Sequence, residues 1–437
     1  MEPPMTPAST SSTTGSRTQM GRIVASSFTG SLIEYYDFLL YATASAVVFN
    51  QVFFSNLDPV TGTIASFGTF AAGYLARPLG GVVFGHFGDR LGRKKMLVLT
   101  MLTMGVVSFL IGCLPTYGQI GAAAPILLIL LRIIQGVAIG GEWGGAVLIT
   151  AEHATSRRGL WASFTNAGAP AGMVLSTAVM ALMASVTTPE QFTAWGWRVP
   201  FLLSILLLAV GLWIRLSVTE SPAFEAMKDR KAEAKTPLAE VLRKHPRTLL
   251  LAVGVGLGAF VVQGTLTTFL IAYALGAGFE RPTVLNALTL SSAGAVIGII
   301  GWSALTDRVG RRPVVITAAV GTAAFAYLLF PMLDSGSTAL LVLAVVLGQS
   351  ILHAAFYGPL AALMSEVFKT SSRYTGASLG YQLAGVGAGL TPLLFASLQK
   401  AGASTVTLST VIAVFCLLSV FSLVRLGETS SRELVDA

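Results

Sequence analysis

Twelve apolar stretches run along the chain, at 22–49, 62–85, 96–114, 125–151, 161–185, 198–217, 248–275, 283–305, 314–333, 338–365, 375–398 and 404–426. Each approaches or exceeds the roughly 20 residues that a helix needs to cross a bilayer. Most connections between them are short. The exception is 218–247, which holds Lys228, Arg230, Lys231, Lys235, Arg243, Lys244 and Arg247 among acids and splits the chain into two sets of six. The pattern predicts an all-α membrane protein with twelve transmembrane helices. An N-terminal six-helix bundle spans 22–217, a cytoplasmic linker 218–247 and a C-terminal six-helix bundle 248–426. Residues 1–21 and 427–437 are expected to be cytoplasmic tails. The first is expected to be disordered, because residues 1–20 contain nine Ser/Thr and three Pro. The long apolar stretch behind it contains Glu34 and Asp37, which does not suit a cleaved signal peptide.

Composition narrows the function. Hydrophobic residues make up 54% of the 437 and charged residues 11%, against roughly 25% charged in soluble domains. So few charges cannot cover a soluble surface, which excludes an ordinary cytosolic enzyme. The 46 glycines suit close helix approach in lipid. The net charge of +8 reads as topology rather than as nucleic-acid binding. With both termini cytoplasmic, every Lys and Arg outside the membrane lies on the cytoplasmic side except Arg198, Arg281 and Lys400. Arg77 and Arg132 remain inside it. Cys113 and Cys416 offer neither a disulfide framework nor metal spacing. No lysine follows a glycine, so there is no G-x-x-x-x-G-K phosphate loop. No cofactor and no metal are expected. His86, His153 and His245 fall at or beyond helix ends, without a catalytic constellation around them.

An internal repeat is visible. Asp89-Arg90-Leu91-Gly92-Arg93-Lys94 closes the second span and Asp307-Arg308-Val309-Gly310-Arg311-Arg312 the eighth, 218 residues later. Glu152 and Glu366 end the fourth and tenth spans, 214 apart, and Arg158 and Arg373 follow them, 215 apart. Near-equal offsets argue for two parallel six-helix repeats. Such repeats place a substrate site between the halves near the midplane, with access alternating by rocking.

The D-R-x-G-R-[KR] motif between spans two and three, echoed between eight and nine, resembles the major facilitator superfamily. Glu34-Tyr35-Tyr36-Asp37-Phe38, Ala76-Arg77-Pro78-Leu79-Gly80-Gly81 and Arg132-x-x-Gln135-Gly136-x-x-x-Gly140-Gly141-Glu142 narrow the resemblance. So do Trp195-Gly196-Trp197-Arg198-Val199-Pro200-Phe201, Glu220-Ser221-Pro222 and Gly358-Pro359 followed by Glu366. Together, over about 22–426, they resemble the metabolite:proton symporters. Arg373-Tyr374-Thr375-Gly376-Ala377-Ser378-Leu379-Gly380-Tyr381-Gln382 is similar to the branch that includes shikimate transporters. The resemblance implies proton symport of a small carboxylate metabolite, shikimate-like or a di- or tricarboxylate, into the cell by alternating access. It implies a monomer in the cytoplasmic (inner) membrane whose partners are substrate, protons and lipid. The alternatives are uptake of a zwitterion such as proline or betaine, an efflux antiporter, and a non-transporting receptor. Gly168-Ala169-Pro170-Ala171-Gly172 matches the antiporter pattern only loosely, and no large extramembrane domain suits a receptor. Two positions depart from the family. Ser303 stands where the first repeat has Gly85, which predicts looser packing. Asn166 stands where the family has glutamine.

Charges inside a bilayer cost roughly 2.5–3.5 kcal/mol each on insertion scales and mark functional sites. Glu34 and Asp37 lie three residues apart, on one helix face. With Glu142 they are the candidates to carry the proton, Asp37 first; the alternative is a pair of structural charges. Arg132 shares its face with Gly136 and Gly140. It can hold Asp37 ionised or bind an anionic substrate, and exchanging those partners would be a coupling mechanism. Arg77 either binds a substrate carboxylate or pairs with Glu142 or Glu34. Glu142 lies ten residues past Arg132, about 15 Å along the axis, and cannot pair with it directly. Tyr41, Gln135, Asn166, Tyr357 and Tyr381 are candidate substrate contacts, and Tyr36, Trp143 and Phe356 further cavity aromatics. His353 suits a hydrogen-bonded packing role better than a proton relay. The expected gating residues are Gly85, Asp89, Arg90, Gly92, Arg93 and Glu152 with their repeats Asp307, Arg308, Arg311 and Glu366. Asp89 would meet the helix start near Thr375, and Arg93 would reach Glu152. The bland alternative is that they serve topology alone.

Overall fold

The computed structural model describes residues 12–91, 93–141, 143–154, 156–216, 237–368 and 373–430. Its long helices are α1 (Ser12–Val47), α2 (Pro59–Leu91), α3 (Arg93–Cys113), α4 (Ala123–Gly140, continued by Trp143–His153) and α5 (Arg158–Val186). They continue with α6 (Pro189–Trp213), α7 (Pro246–Gly276), α8 (Arg281–Val309), α9 (Arg311–Asp334), α10 (Thr338–Val367), α11 (Arg373–Lys400) and α12 (Thr405–Leu426). Each apolar stretch read from the sequence falls on one of them. Among the described residues nine helices, α4 to α12, are long and apolar enough to cross a membrane, and the apolar part of α3 is shorter, Val98–Cys113.

Two ends differ from expectation. α1 begins at Ser12, so part of the expected tail is helical; once a long helix is nucleated, each further residue adds a hydrogen bond at little cost. The linker lies largely outside the described residues, but Pro237–Lys244 of it forms a short helix.

Helix pairing follows the repeat. α1 packs on α5, α2 on α4 and α3 on α6; α7 on α11, α8 on α10 and α9 on α12 repeat the scheme six helices later. Across the halves α2 meets α11 and α5 meets α8, again related by the same shift. Glycines permit the closest approach. A Cβ at Gly136 or Gly140 of α4 would run into the backbone carbonyls of Gly73 and Arg77 on α2. That contact sets the depth at which Arg77 and Arg132 sit.

One end of the helices is latched between the halves. Asp307, at the end of α8, accepts the backbone N–H groups of Gly159 (2.8 Å) and Leu160 (2.9 Å) at the start of α5. A helix N-terminus favours a carboxylate through its unpaired N–H groups and dipole. Arg311 ties Asp307 (2.7 Å) to Glu366 of α10 (3.0 Å). By the repeat spacing, these contacts are the images of those expected from Asp89 and Arg93. Gly85 falls within α2, while Gly92 and the side chains of Asp89, Arg90, Arg93 and Glu152 lie outside the described residues. Arg308, expected among the gating residues, is exposed, and among the described residues the latch contacts are made by Asp307 and Arg311 instead.

Ser303 corrects a second expectation. It is fully buried rather than loosely packed. Glycines on the facing helices, Gly159 of α5 and Gly358 of α10, make room for it.

Residues just beyond α12 are docked as well. Glu428 accepts the N–H groups of Arg311 (2.9 Å) and Arg312 (3.0 Å) and caps α9. Thr429 donates to Glu366 (2.7 Å). Partial burial raises the Glu428 carboxyl, but four backbone N–H donors outweigh it and hold it down at about 2. A carboxylate lowered in the folded state stabilises fully above its unfolded value. This cap is therefore lost only as pH falls through about 2.

Gly136→Ala should cost about 1–3 kcal/mol through overpacking. The purified variant should melt measurably below wild type, whereas Gly68→Ala, which meets open space, should not. Asp307→Ala removes a charge-assisted acceptor from two amides; deuterium exchange at the first turn of α5 should rise about tenfold. Unchanged exchange there would show that Asp307 does not hold the latch.

Candidate functional site

Arg77 on α2 and Arg132 on α4 are both fully buried, side by side because α4 lies directly on α2. Aromatic rings surround them. The Arg132 guanidinium lies over Phe38 (3.9 Å), Tyr41 (4.2 Å) and Phe70 (5.2 Å), and that of Arg77 over Tyr74 (4.9 Å) and Phe38 (5.3 Å). Phe38 is thus shared by both cations. Cation–π contacts of this kind are worth about 2 kcal/mol when desolvated. They hold a charge without neutralising it.

Hydrogen bonding leaves both groups incomplete. Arg77 Nε donates to Gln382 of α11 (2.8 Å), and Gln382 Nε2 donates to the Gly140 carbonyl (2.9 Å). Nη1 and Nη2 of Arg77, and Nε and Nη2 of Arg132, make no hydrogen bond of good geometry, although the Tyr35 and Tyr74 hydroxyls lie within hydrogen-bonding reach of the Arg77 guanidinium. Among the described residues neither arginine forms an ion pair. Of the alternatives for Arg77, pairing with Glu34 is not seen; Gln382 reaches in from the other half to Nε. Glu142 lies outside the described residues. Glu34 itself is buried, and its Oε1 lacks a partner.

Of the two alternatives for Arg132, a direct pair with Asp37 is not seen. A directional chain joins them. Arg132 Nη1 donates to Gln135 Oε1 (2.9 Å) and Gln135 Nε2 donates to Ser108 Oγ of α3 (2.7 Å). Ser108 lies within hydrogen-bonding reach of the Asp37 carboxylate. Ser204 of α6 donates to that carboxylate from the other side. Gln135 sits three residues past Arg132 on the same face, so it fills the space where a direct pair would form. Tyr41, beneath Arg132, donates to Thr69 (2.6 Å).

A second cluster bridges the halves. The Tyr381 hydroxyl bonds with those of Tyr35 (3.1 Å) and Tyr357 (2.5 Å). Trp143 stacks on Tyr381 with ring centroids 3.5 Å apart. Trp143 Nε1 donates to Asn166 Oδ1 (3.0 Å), and Asn166 Nδ2 donates to the Tyr357 carbonyl (3.2 Å). Asn166 therefore ties α4 and α5 to α10. Tyr36 donates to the Pro200 carbonyl (2.7 Å) and is fixed in packing against α6.

Sequence reasoning did not single out Ser108, Ser204, Gln382, Tyr35 or Phe38 as site residues. Serines occur on most of the apolar stretches, and nothing in one dimension shows which of them face Asp37.

A cavity of about 1060 Å³ lies at the end opposite the latch, lined from both halves by Val47, Phe67, Thr187, Phe269, Arg281 and Lys400 among others. Phe67, Phe70 and Tyr74 follow at helical spacing on α2 from the cavity down to Arg77. The cavity is thus aimed at the arginines but separated from them by aromatic side chains. Among the described residues no cluster of three metal-ligating side chains occurs.

These features agree with known proteins. The family described as "Sugar (and other) transporter" matches residues 23–250 and "MFS/sugar transport protein" matches 145–380. A shikimate transporter of Escherichia coli (strain K12) is 41% identical over 86% of this chain and 87% of its own. A proline/betaine transporter of Salmonella typhimurium (strain LT2) is 31% identical over 96% and 86%. The structure of a proton:xylose symporter of the major facilitator superfamily shares the fold, with TM-score 0.74 and 17% identity over 96% of this chain and 98% of its own. The chain belongs to the major facilitator superfamily and is a multi-pass membrane transporter, not an enzyme, akin to the shikimate, metabolite and proline/betaine transporters.

Proposed function

We propose that this transporter carries a small carboxylate metabolite into the cell together with a proton, with a shikimate-like ring acid the first candidate and di- or tricarboxylates the next. The observation that carries the reading is the pair of buried guanidiniums without a carboxylate partner among the described residues, in which Nη1 and Nη2 of Arg77 and Nε and Nη2 of Arg132 make no hydrogen bond of good geometry. A carboxylate supplies the matching acceptors in a planar fork. The shikimate transporter at 41% identity and the fold shared with a proton:xylose symporter support the substrate class and the coupling ion.

Coupling follows from the chain between Asp37 and Arg132. With Asp37 ionised, Ser108 donates to it, Gln135 to Ser108 and Arg132 to Gln135, each bond polarising the next. A proton on Asp37 removes the charge at the end of the chain. Gln135 then holds Arg132 less firmly, and the guanidinium turns to the substrate. Proton and anion thus favour each other's binding, as symport requires. The cavity side admits them; rocking of the two six-helix halves would break the Asp307 contacts with α5 and release them at the latched face. That face is the cytoplasmic one if both termini lie inside the cell.

A second reading is favoured by one group. Glu34, buried with a free Oε1, offers an anion to the cationic end of a zwitterion, and a relative is named a proline/betaine transporter.

In proteoliposomes, shikimate should drive proton influx through the wild-type protein. Asp37→Asn should abolish that influx while retaining exchange of labelled shikimate. A response to betaine and not to shikimate would favour the zwitterion. Arg77→Gln should raise the half-saturating shikimate concentration ten- to hundredfold, the worth of one or two hydrogen bonds to a charged group. An unchanged value would remove Arg77 from the site.

A further inference from the structure

The C-terminal half has unpaired polar atoms of its own, and two of them, on α7 and α10, are of the opposite kind to the guanidinium donors. His353 ends the π-helical stretch Val346–His353 of α10. It is 5% exposed, and its Nε2 has no hydrogen-bond partner. The backbone carbonyl of Ala259, on α7, lies within hydrogen-bonding reach of the ring. Gln263 stands one turn further along α7, on the face that carries Ala259. It is also 5% exposed, and its Oε1 lacks a partner. It immediately precedes Gly264 and the π-helical stretch Thr265–Phe269. π-helical turns are rare and recur at functional sites; here one adjoins each orphaned atom. Buried side-chain atoms without partners are exceptions that call for a reason.

Both atoms are acceptors. Gln263 Oε1 can only accept. His353 Nε2 accepts when Nδ1 carries the proton that the Ala259 carbonyl takes. They therefore ask for hydroxyl donors, whereas the arginines of the other half ask for acceptors. A continuous set of side chains joins the two ends. The His353 ring stacks on Tyr357 with centroids 5.3 Å apart. Phe260 meets Tyr357 and Tyr381 edge-on at 5.9 and 4.9 Å. Phe260 and the Arg77 guanidinium carbon come within 3.8 and 3.9 Å of the point where a Cβ at Gly385 would stand.

We infer that His353 and Gln263 form the hydroxyl-reading end of the substrate site, so that the transported acid carries hydroxyl groups on the carbon frame away from its carboxylate. This rests on the reading that the carboxylate meets Arg77 and Arg132. It assigns anion binding to the first half and recognition of the neutral, hydroxylated part to the second.

The test compares uptake of shikimate with that of cyclohex-1-ene-1-carboxylate, the same ring acid without hydroxyls, in proteoliposomes. Wild type should prefer shikimate in kcat/KM. His353→Leu and Gln263→Leu should each lower that preference about tenfold, the worth of one hydrogen bond, by slowing shikimate alone. His353→Gln keeps an acceptor near the Nε2 position and should restore much of the preference. A parallel fall for both acids would show a packing role and overturn the inference, as would a preference that the leucine variants leave unchanged. Equal uptake of both acids by wild type would overturn it while leaving the carboxylate reading intact. Uptake of neither would overturn the ring-acid reading of the substrate, and this inference with it.

Discussion

Arg77 and Arg132 hold two permanent positive charges in a dry interior, and no carboxylate among the described residues neutralises either. Arginine cannot shed its proton there, so the surroundings must accommodate the charge. They do so with ring faces, Phe38, Tyr41, Phe70 and Tyr74, and with the side-chain carbonyls of Gln135 and Gln382. This solvation is deliberately incomplete in its geometry: rings stabilise the cation but leave N–H donors unspent. The close approach of α4 to α2 through Gly136 and Gly140 holds the two groups together. The aromatic ladder above them shields them from the cavity.

The rest of the architecture bears on how that charge meets a ligand. Gln382 links Arg77 to the second half, and the tyrosine cluster of Tyr35, Tyr357 and Tyr381 links the same halves beside it. At one end Asp307 seats on the start of α5, while at the other a cavity stands open. The halves also pack directly through α2 with α11 and α5 with α8, and these hydrogen bonds lie along that packed seam. Within each half, glycine-mediated backbone packing is hard to alter. Rigid halves that move against each other at such a seam are what rocking motion requires.

Much of the fold was legible because it leaves one-dimensional marks. Apolar runs showed the helices, and equal offsets showed the repeat. The intramembrane charges stood out against the apolar runs around them. The partners of those charges were not legible. The pattern leaves open whether Arg132 meets Asp37 or a substrate, and Gln135 and Ser108 stand between Arg132 and Asp37; their placement depends on helix rotation, which the pattern does not encode. The partner of Arg77, Gln382, lies 305 residues away in the other half. Ser303 was read as a packing defect, although glycines on two facing helices compensate for it. Glu428 was read as tail, although its carboxylate caps α9, because a capping contact made through backbone amides has no signature in residue types.

The central claim is that the unfilled donors of Arg77 and Arg132 receive the substrate's carboxylate. The most direct measurement is a cryo-electron-microscopy structure of the protein in lipid nanodiscs with shikimate bound. The account predicts carboxylate oxygens about 3 Å from guanidinium nitrogens of Arg77 or Arg132, with the ring directed toward α7 and α10. A ligand bound elsewhere, with both guanidiniums still on Gln382 and Gln135, would contradict it.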